Sequence, residues 1–230
     1  MKTEIKKIIA DWKEVKNECR HTSSKEDTDK DATSTFKRQI LRAEHSPIRL
    51  IEVKWRWDNI KSWIATHYVR HSVGVTPFVT TQRTDRVGGD RDKAPQDAPV
   101  SIDIIANAQA LINMARVRLC YQAHKETRAY LYDLKKAIEL NGEVELSNVL
   151  VPKCIAYNGC PEFQTCGLWD RFIDFCINRY IEEGCIGTDD MCFDAYGETL
   201  KKLTSIGERQ HMFNEFCNEK LYFENGVDIE

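Results

Sequence analysis

Apolar residues near the start of the chain fall at Ile5, Ile8, Ile9, Trp12 and Val15. Spacings of three and four mark one face of a helix, so a helix is predicted over residues 2–20. The following HTSSKEDTDKDATS has almost nothing to bury and reads as a solvated loop. Ile51, Val53, Trp55 and Trp57 then alternate with Glu52, Lys54 and Arg56, the period of a half-buried strand. Asp58 is placed to cap a helix carrying Ile60, Trp63, Ile64 and Tyr68. Beyond Gly74 and Pro77 a Thr/Val-rich run suits a short strand, and TDRVGGDRDKAPQDAP reads as a loop. Ile104, Ile105, Ala108, Leu111, Ile112, Ala115 and Leu119 share one apolar arc, which predicts a long helix. KETRAYLYDLKKAIEL, LWDRFIDFCINRYIEE and RQHMFNEFCNEKLYF predict further helices.

Strands and helices occur without regular alternation, which points to a mixed α+β fold, a β-sheet with long packed helices. With 230 residues, 42% of them apolar, the chain can bury the core of one large domain spanning 1–230. From about residue 150 it continues as a cysteine-rich extension. No glycine-rich phosphate loop is present.

A net charge of -3 provides no global field for nucleic acid. No apolar run approaches the ~20 residues that cross a bilayer, and Lys2, Glu4, Lys6 and Lys7 leave no apolar leader, so no membrane is expected and the compartment is read as cytoplasmic. Nine cysteines are an odd number for a disulfide framework. Cys154, Cys160 and Cys166 lack the paired C-x-x-C of most metal sites and read as buried thiols, with no metal.

Arg70 and His71 stand where a helix gives way to a loop, a place from which side chains can reach a ligand; a surface arginine beside a capping histidine fits the same pair. Between Asp85 and Pro99, Arg86, Arg91 and Lys93 lie near glycines, as phosphate-binding donors would, although Asp85, Asp90 and Asp92 could balance them in a solvated loop. On the predicted long helix Asn107 and Arg118 share one edge, about 16 Å apart at ~1.5 Å per residue. Asn113 points elsewhere, so a ligand or second subunit would have to wrap the helix.

The joint spacing of these residues resembles the flavin-dependent thymidylate synthases. His45 of AEHSPIR precedes Arg70 by 25 residues, RDKAP sets Arg91 before Pro95, and NAQALINMARVR from Asn107 to Arg118 is similar to the family's Asn-Ala-Arg-Ser-Leu-x-Asn-x-x-x-x-Arg helix. AHKETR continues the match, which covers roughly residues 36–128. The resemblance implies FAD contact by His45, Arg70, His71, Asn107 and Asn113. It also implies that Arg91 and Arg118 hold the nucleotide phosphate and pyrimidine, with His67, Gln82 and Arg83 beside the substrate. The product would be dTMP from dUMP, with methylenetetrahydrofolate and NADPH as co-substrates, in a homotetramer whose sites are shared between subunits.

The family signature Arg-His-Arg-x-x-Ser-x-Asn-Glu-x-Ser-x-Arg is only partly kept in RHSVGVTPFVTTQR. Ser72, Val75, Pro77, Phe78 and Gln82 depart from it, Gln109 replaces a helix arginine, and His67 replaces a glutamine. Thr80, or Thr81 with a one-residue slip, takes the place of the catalytic serine, since a hydroxyl can still donate to the base. These changes leave open a flavin-dependent hydroxymethylase or another modified-nucleotide enzyme, and an inactive binding homologue.

Overall fold

A computed structural model describes residues 2–88, 90–186, 194–219 and 222. Strands β1 (Glu4–Ile9), β2 (Glu52–Lys61), β3 (Val75–Val79) and β4 (Pro99–Asn107) form an antiparallel sheet in the order β1-β2-β4-β3. The helices are α1 (Trp12–His21), α2 (Ser34–Arg42), α3 (Ser62–Val69), α4 (Thr84–Val87), α5 (Ala108–Arg118), α6 (Lys125–Leu140), α7 (Val144–Val149), α8 (Lys153–Tyr157), α9 (Leu168–Glu182), α10 (Ala195–Lys202) and α11 (Ile206–Asn218). This is the expected mixed α+β fold. None of the described helices is long and apolar enough to cross a membrane.

The chain divides into two compact units, residues 1–114 with 130–147, and residues 115–129 with 148–230. The sheet and α1 to α4 belong to the first. Along β4, buried Val100, Ile102, Ile104 and Ala106 alternate with half-buried Ser101, Asp103, Ile105 and Asn107, so one face enters the core. Trp55 and Trp57 of β2 are wholly buried there, and the Trp57 ring lies 4.6 Å from Tyr68 of α3 and 5.3 Å from Tyr130 of α6. The indole N–H of Trp57 donates to Thr3 Oγ1 at 2.8 Å, and that hydroxyl donates to Asp133 at 2.6 Å. A buried polar group left without a partner would cost roughly 1–3 kcal/mol, so this relay lets a tryptophan occupy the core.

Three expectations need correction, and two share a cause. The first apolar cluster is strand β1, and the helix begins only at Trp12, where Asp11 accepts from the backbone N–H groups of Lys13 and Glu14. A register shift between Ile5 and Lys7 places Ile5 and Ile8 on the same face of a strand, three residues apart. In β2 a second shift between Trp57 and Ile60, with Asn59 at φ 54, does the same for those two residues. Asp58 therefore lies inside the strand and caps nothing, and α3 starts at Ser62. An extra residue in one strand imitates helical spacing because it resets the alternation of faces. The third correction is the junction before α5: Ile104, Ile105 and Asn107 end strand β4, and the helix begins at Ala108. Asn107 therefore does not share a helix edge with Arg118.

The second unit gathers Phe172, Phe213, Phe216 and Tyr222 around α9 and α11, with Phe172 and Phe216 rings 6.2 Å apart. Buried Arg209 donates to the carbonyls of Ile155, Ala156, Leu203 and Thr204 at 2.6–3.0 Å. One guanidinium thus satisfies carbonyls at the C-terminal ends of α8 and α10, where a cation also meets the negative ends of the helix dipoles. The predicted helix RQHMFNEFCNEKLYF ends at Asn218 as α11, and its Lys220, Leu221 and Phe223 lie outside the described residues.

Gly74 has φ +72, and a Cβ there would stand 2.6 Å from Asn107 Nδ2. Gly88 has the same φ but open space around it. Gly74→Ala should therefore destabilise by about 2 kcal/mol or more, and Gly88→Ala by about 1 kcal/mol, in denaturant unfolding. Equal losses would show that backbone strain alone decides. Across β2 and β4, Arg56 donates to Asp103 at 2.5 Å and holds that carboxyl below its ordinary value. The contribution is complete above the unfolded carboxylate value of about 3.9 and is lost as pH falls through the lower folded value. Asp103→Asn should accordingly flatten the acid limb of a stability–pH profile and leave its neutral region shallow.

Candidate active site

The turn that follows α3 is positioned by two elements at once. Arg70 is the C-cap of α3, and the His71 N–H donates to Tyr68 O at 3.0 Å. Gly74 then accepts from the Asn107 N–H at 3.1 Å, tying the turn to the junction of β4 and α5. The Asn107 side chain accepts from the Ala110 N–H at 2.9 Å and so caps α5. This fixes Ala110 and Asn113 opposite the turn.

Between them lies a cavity of about 230 Å³ lined by Arg70, His71, Ser72, Val73, Val75, Ala110 and Asn113. Three of the five residues assigned to the flavin by resemblance meet here. Asn107 touches the same turn through Gly74 but is engaged in capping. His45 joins less directly. Its neighbour Glu44 accepts from Gln109 Nε2 at 2.6 Å, and Gln109 also donates to Asn113 Oδ1 at 3.3 Å. The His45 ring itself lies 3.8 Å from Cys19 Sγ, a thiol pushed up by burial and by Glu18.

A second cavity of about 290 Å³ opens at the other end of β3, lined by residues including Thr80, Thr81, Gln82, Arg83 and Arg91. From Val75 to Val79 the strand advances roughly 13 Å. Thr80 continues the sheet: its N–H donates to Ser101 O at 2.9 Å, and its hydroxyl oxygen accepts from the Ser101 N–H at 2.9 Å. Thr81 Oγ1 accepts from the Arg83 N–H at 3.2 Å. Each hydroxyl proton stays available to a ligand.

The cations of the two cavities differ in their commitments. Arg83 holds Asp85 through two bonds of 2.9 and 2.8 Å. Among the described residues, neither Arg70 nor Arg91 has a carboxylate partner. His67 lines neither cavity; its ring packs edge-on to Trp63, centroids 5.5 Å apart. Ser62 and Thr66, one helical turn apart on α3, do line the larger cavity and were not singled out from the sequence. Their i, i+4 hydroxyls were the available signal.

Arg118 belongs to the second unit, at the end of α5. There it lines a cavity of about 210 Å³ with Cys120, Cys154, Cys160, Cys166 and Trp169. Among the described residues no group of three or more His, Cys, Asp or Glu is arranged to hold a metal.

No protein-family model and no curated protein matches the sequence. Solved structures do match by fold. Thymidylate synthase X from Helicobacter pylori, crystallised with FAD and dUMP, aligns with TM-score 0.54 at 13% identity, over 65% of this chain and 99% of that one. A UMP/dUMP methylase, PolB from Streptomyces cacaoi, bound with 5-Br dUMP, aligns with TM-score 0.53 at 13% identity, over 66% of this chain and 95% of that one. The fold is that of the flavin-dependent thymidylate synthases.

The different commitments of Arg83 and Arg91 can be read with an anion. Titrated with inorganic phosphate, Arg91→Ala should lose affinity by about tenfold, the worth of one charge-assisted contact. Arg83→Ala should change it less than twofold, because Asp85 already occupies that guanidinium. Equal losses in NMR-detected titrations would contradict the distinction.

Proposed function

We propose that this chain is a flavin-dependent thymidylate synthase, an FAD-binding enzyme that methylates dUMP to dTMP. The observation that carries the reading is the pair of cavities at opposite ends of β3, each holding an arginine without a carboxylate partner among the described residues. The fold shared with a flavin- and dUMP-bound enzyme and with a dUMP methylase supports it.

The donor set fits both ligands. Arg70, His71 and Asn113 offer a guanidinium, an imidazole and a carboxamide to a flavin with its anionic pyrophosphate. Arg91 suits the nucleotide phosphate. Gln82, whose carboxamide both donates and accepts, suits the imide edge of a uracil, and the hydroxyl protons of Thr80 and Thr81 can be donated to its carbonyls. The resemblance gives Arg118, which lines a separate cavity in the second unit, the role of reading a pyrimidine carbonyl and stabilising the negative charge that develops as the ring is attacked. In this reading Arg83 lines the nucleotide cavity, and Asn107 positions Asn113 by capping α5.

Bound FAD would supply the hydride chemistry, with methylenetetrahydrofolate giving the carbon and NADPH restoring the reduced flavin. What the chain contributes is placement. The β3 scaffold places a donor set at each of its ends, and Thr80 is held on the sheet by its two bonds to Ser101, which limits the ordering its hydroxyl needs. Both cavities are smaller than the ~300–1,000 Å³ of a closed ligand site. A homotetramer with shared sites, in the cytoplasm, completes the reading, since a neighbouring copy would cover each opening.

A specific departure favours a second reading. The signature's Asn-Glu pair is Pro77 and Phe78 here, and Phe78 is 55% exposed on an edge strand. A pyrimidine nucleotide other than dUMP, or a product stopped at hydroxymethylation, would accommodate that loss. Incubated with FAD, NADPH and methylenetetrahydrofolate, the protein should convert dUMP to a product with the mass of dTMP. Turnover of dCMP alone, or a hydroxymethyl mass, would replace the first reading with the second. Arg70→Ala should reduce flavin retention by about tenfold or more.

A further inference from the structure

The second unit holds a sulfur cluster that the proposed chemistry does not use. Cys120 Sγ and Cys166 Sγ lie 3.6 Å apart, and no disulfide joins the described cysteines. Cys120 follows α5 by two residues, and Cys166 directly precedes Gly167, the N-cap of α9. The two segments are already in register, because Gln122 Nε2 donates to Gln164 O at 2.9 Å. Bringing the sulfurs to the ~2.05 Å of a disulfide needs a side-chain movement of roughly 1.5 Å.

The segment carrying Cys166 is an exposed loop turned at both ends. Asn158 (φ 58), Gly159 (φ 148) and Gly167 (φ 77) bend the backbone at its two ends. Glu162, Phe163, Gln164 and Thr165 between them are exposed. Cys154 and Cys160 line the same cavity as the pair, but Cys154 is buried. With no metal-holding group among the described residues, the close approach of two half-buried sulfurs stands as a dithiol.

We propose that Cys120 and Cys166 form a reversible disulfide that fixes residues 158–167 against the end of α5, as one wall of the cavity that carries Arg118. The oxidant is a low-molecular-weight disulfide of the glutathione class. Half-exposed Cys166, as thiolate, attacks one of its sulfurs and expels the first thiol. Cys120 then attacks Sγ of Cys166 in the mixed disulfide and expels the second. Two protein thiols lose two electrons and two protons in all, and the small disulfide becomes two thiols. Burial pushes the Cys120 thiol up to about 11, so it waits protonated at neutral pH. The second step therefore accelerates as pH rises, because the Cys120 thiolate fraction grows.

The test uses the full chain, glutathione disulfide, alkylation of remaining thiols and peptide mass spectrometry. A Cys120–Cys166 linked peptide that dithiothreitol removes is the expected result. Cys120→Ser should stop at a glutathione adduct on Cys166, Cys166→Ser should give neither species, and Cys160→Ser should leave the link intact. The linked protein should also resist proteolysis within residues 158–167. Absence of the linked peptide in the unmodified chain, preferential linking through Cys154 or Cys160, or stoichiometric metal in the reduced protein would each overturn the proposal. The mapping needs neither flavin nor nucleotide, so its outcome is independent of the proposed activity.

Discussion

The bond between the Asn107 N–H and Gly74 O is the constraint on which the candidate site depends. Asn107 ends β4 and caps α5 with its side chain, while Gly74, at a positive φ, lets the turn after α3 come within reach. A side chain at either place that blocked this approach would separate Arg70 and His71 from Ala110 and Asn113. The strand-to-helix change and the helix-to-strand turn are thus one structural event. A glycine is required there because a Cβ would fall on the carboxamide that caps the helix.

From that joint the two cavities take their different characters. At the near end of β3, a cation, an imidazole and an amide face each other across the turn. At the far end, hydroxyls and a carboxamide stand beside two arginines, one spent on Asp85 and one without such a partner among the described residues. Arginine already paired to a carboxylate loses much of its value for a phosphate, because the new contact must replace an existing charge-assisted bond. Residue type alone could not rank Arg83 against Arg91, whereas geometry does.

Much of the fold was legible where the periodicity was undisturbed, as in the alternation of Val53, Trp55 and Trp57 or the helical spacing of α6 and α9. It was misread at β1 and in the second half of β2, where one extra residue sets buried positions three apart. It was misread again at Ile104 and Ile105, two neighbouring apolar residues that fall within one helical arc but on opposite faces of strand β4. Arg70, His71 and Asn113 share one cavity and the Thr80–Arg83 segment shares another with Arg91; the family resemblance implied ligand roles for these residues, whereas Arg118, expected beside them, lines a separate cavity. Ser62 and Thr66 were missed because their i, i+4 spacing is a weak signal without the cavity beside it. The Cys120–Cys166 approach joins residues 46 apart, a separation that no local pattern encodes.

The central claim is that these side chains form a flavin and nucleotide site. The visible absorption spectrum of the FAD-treated, desalted protein during dUMP addition tests it most directly. The account predicts a retained flavin band that shifts saturably as dUMP binds beside it. A protein that stays colourless after FAD treatment, or a flavin band indifferent to dUMP, would contradict it.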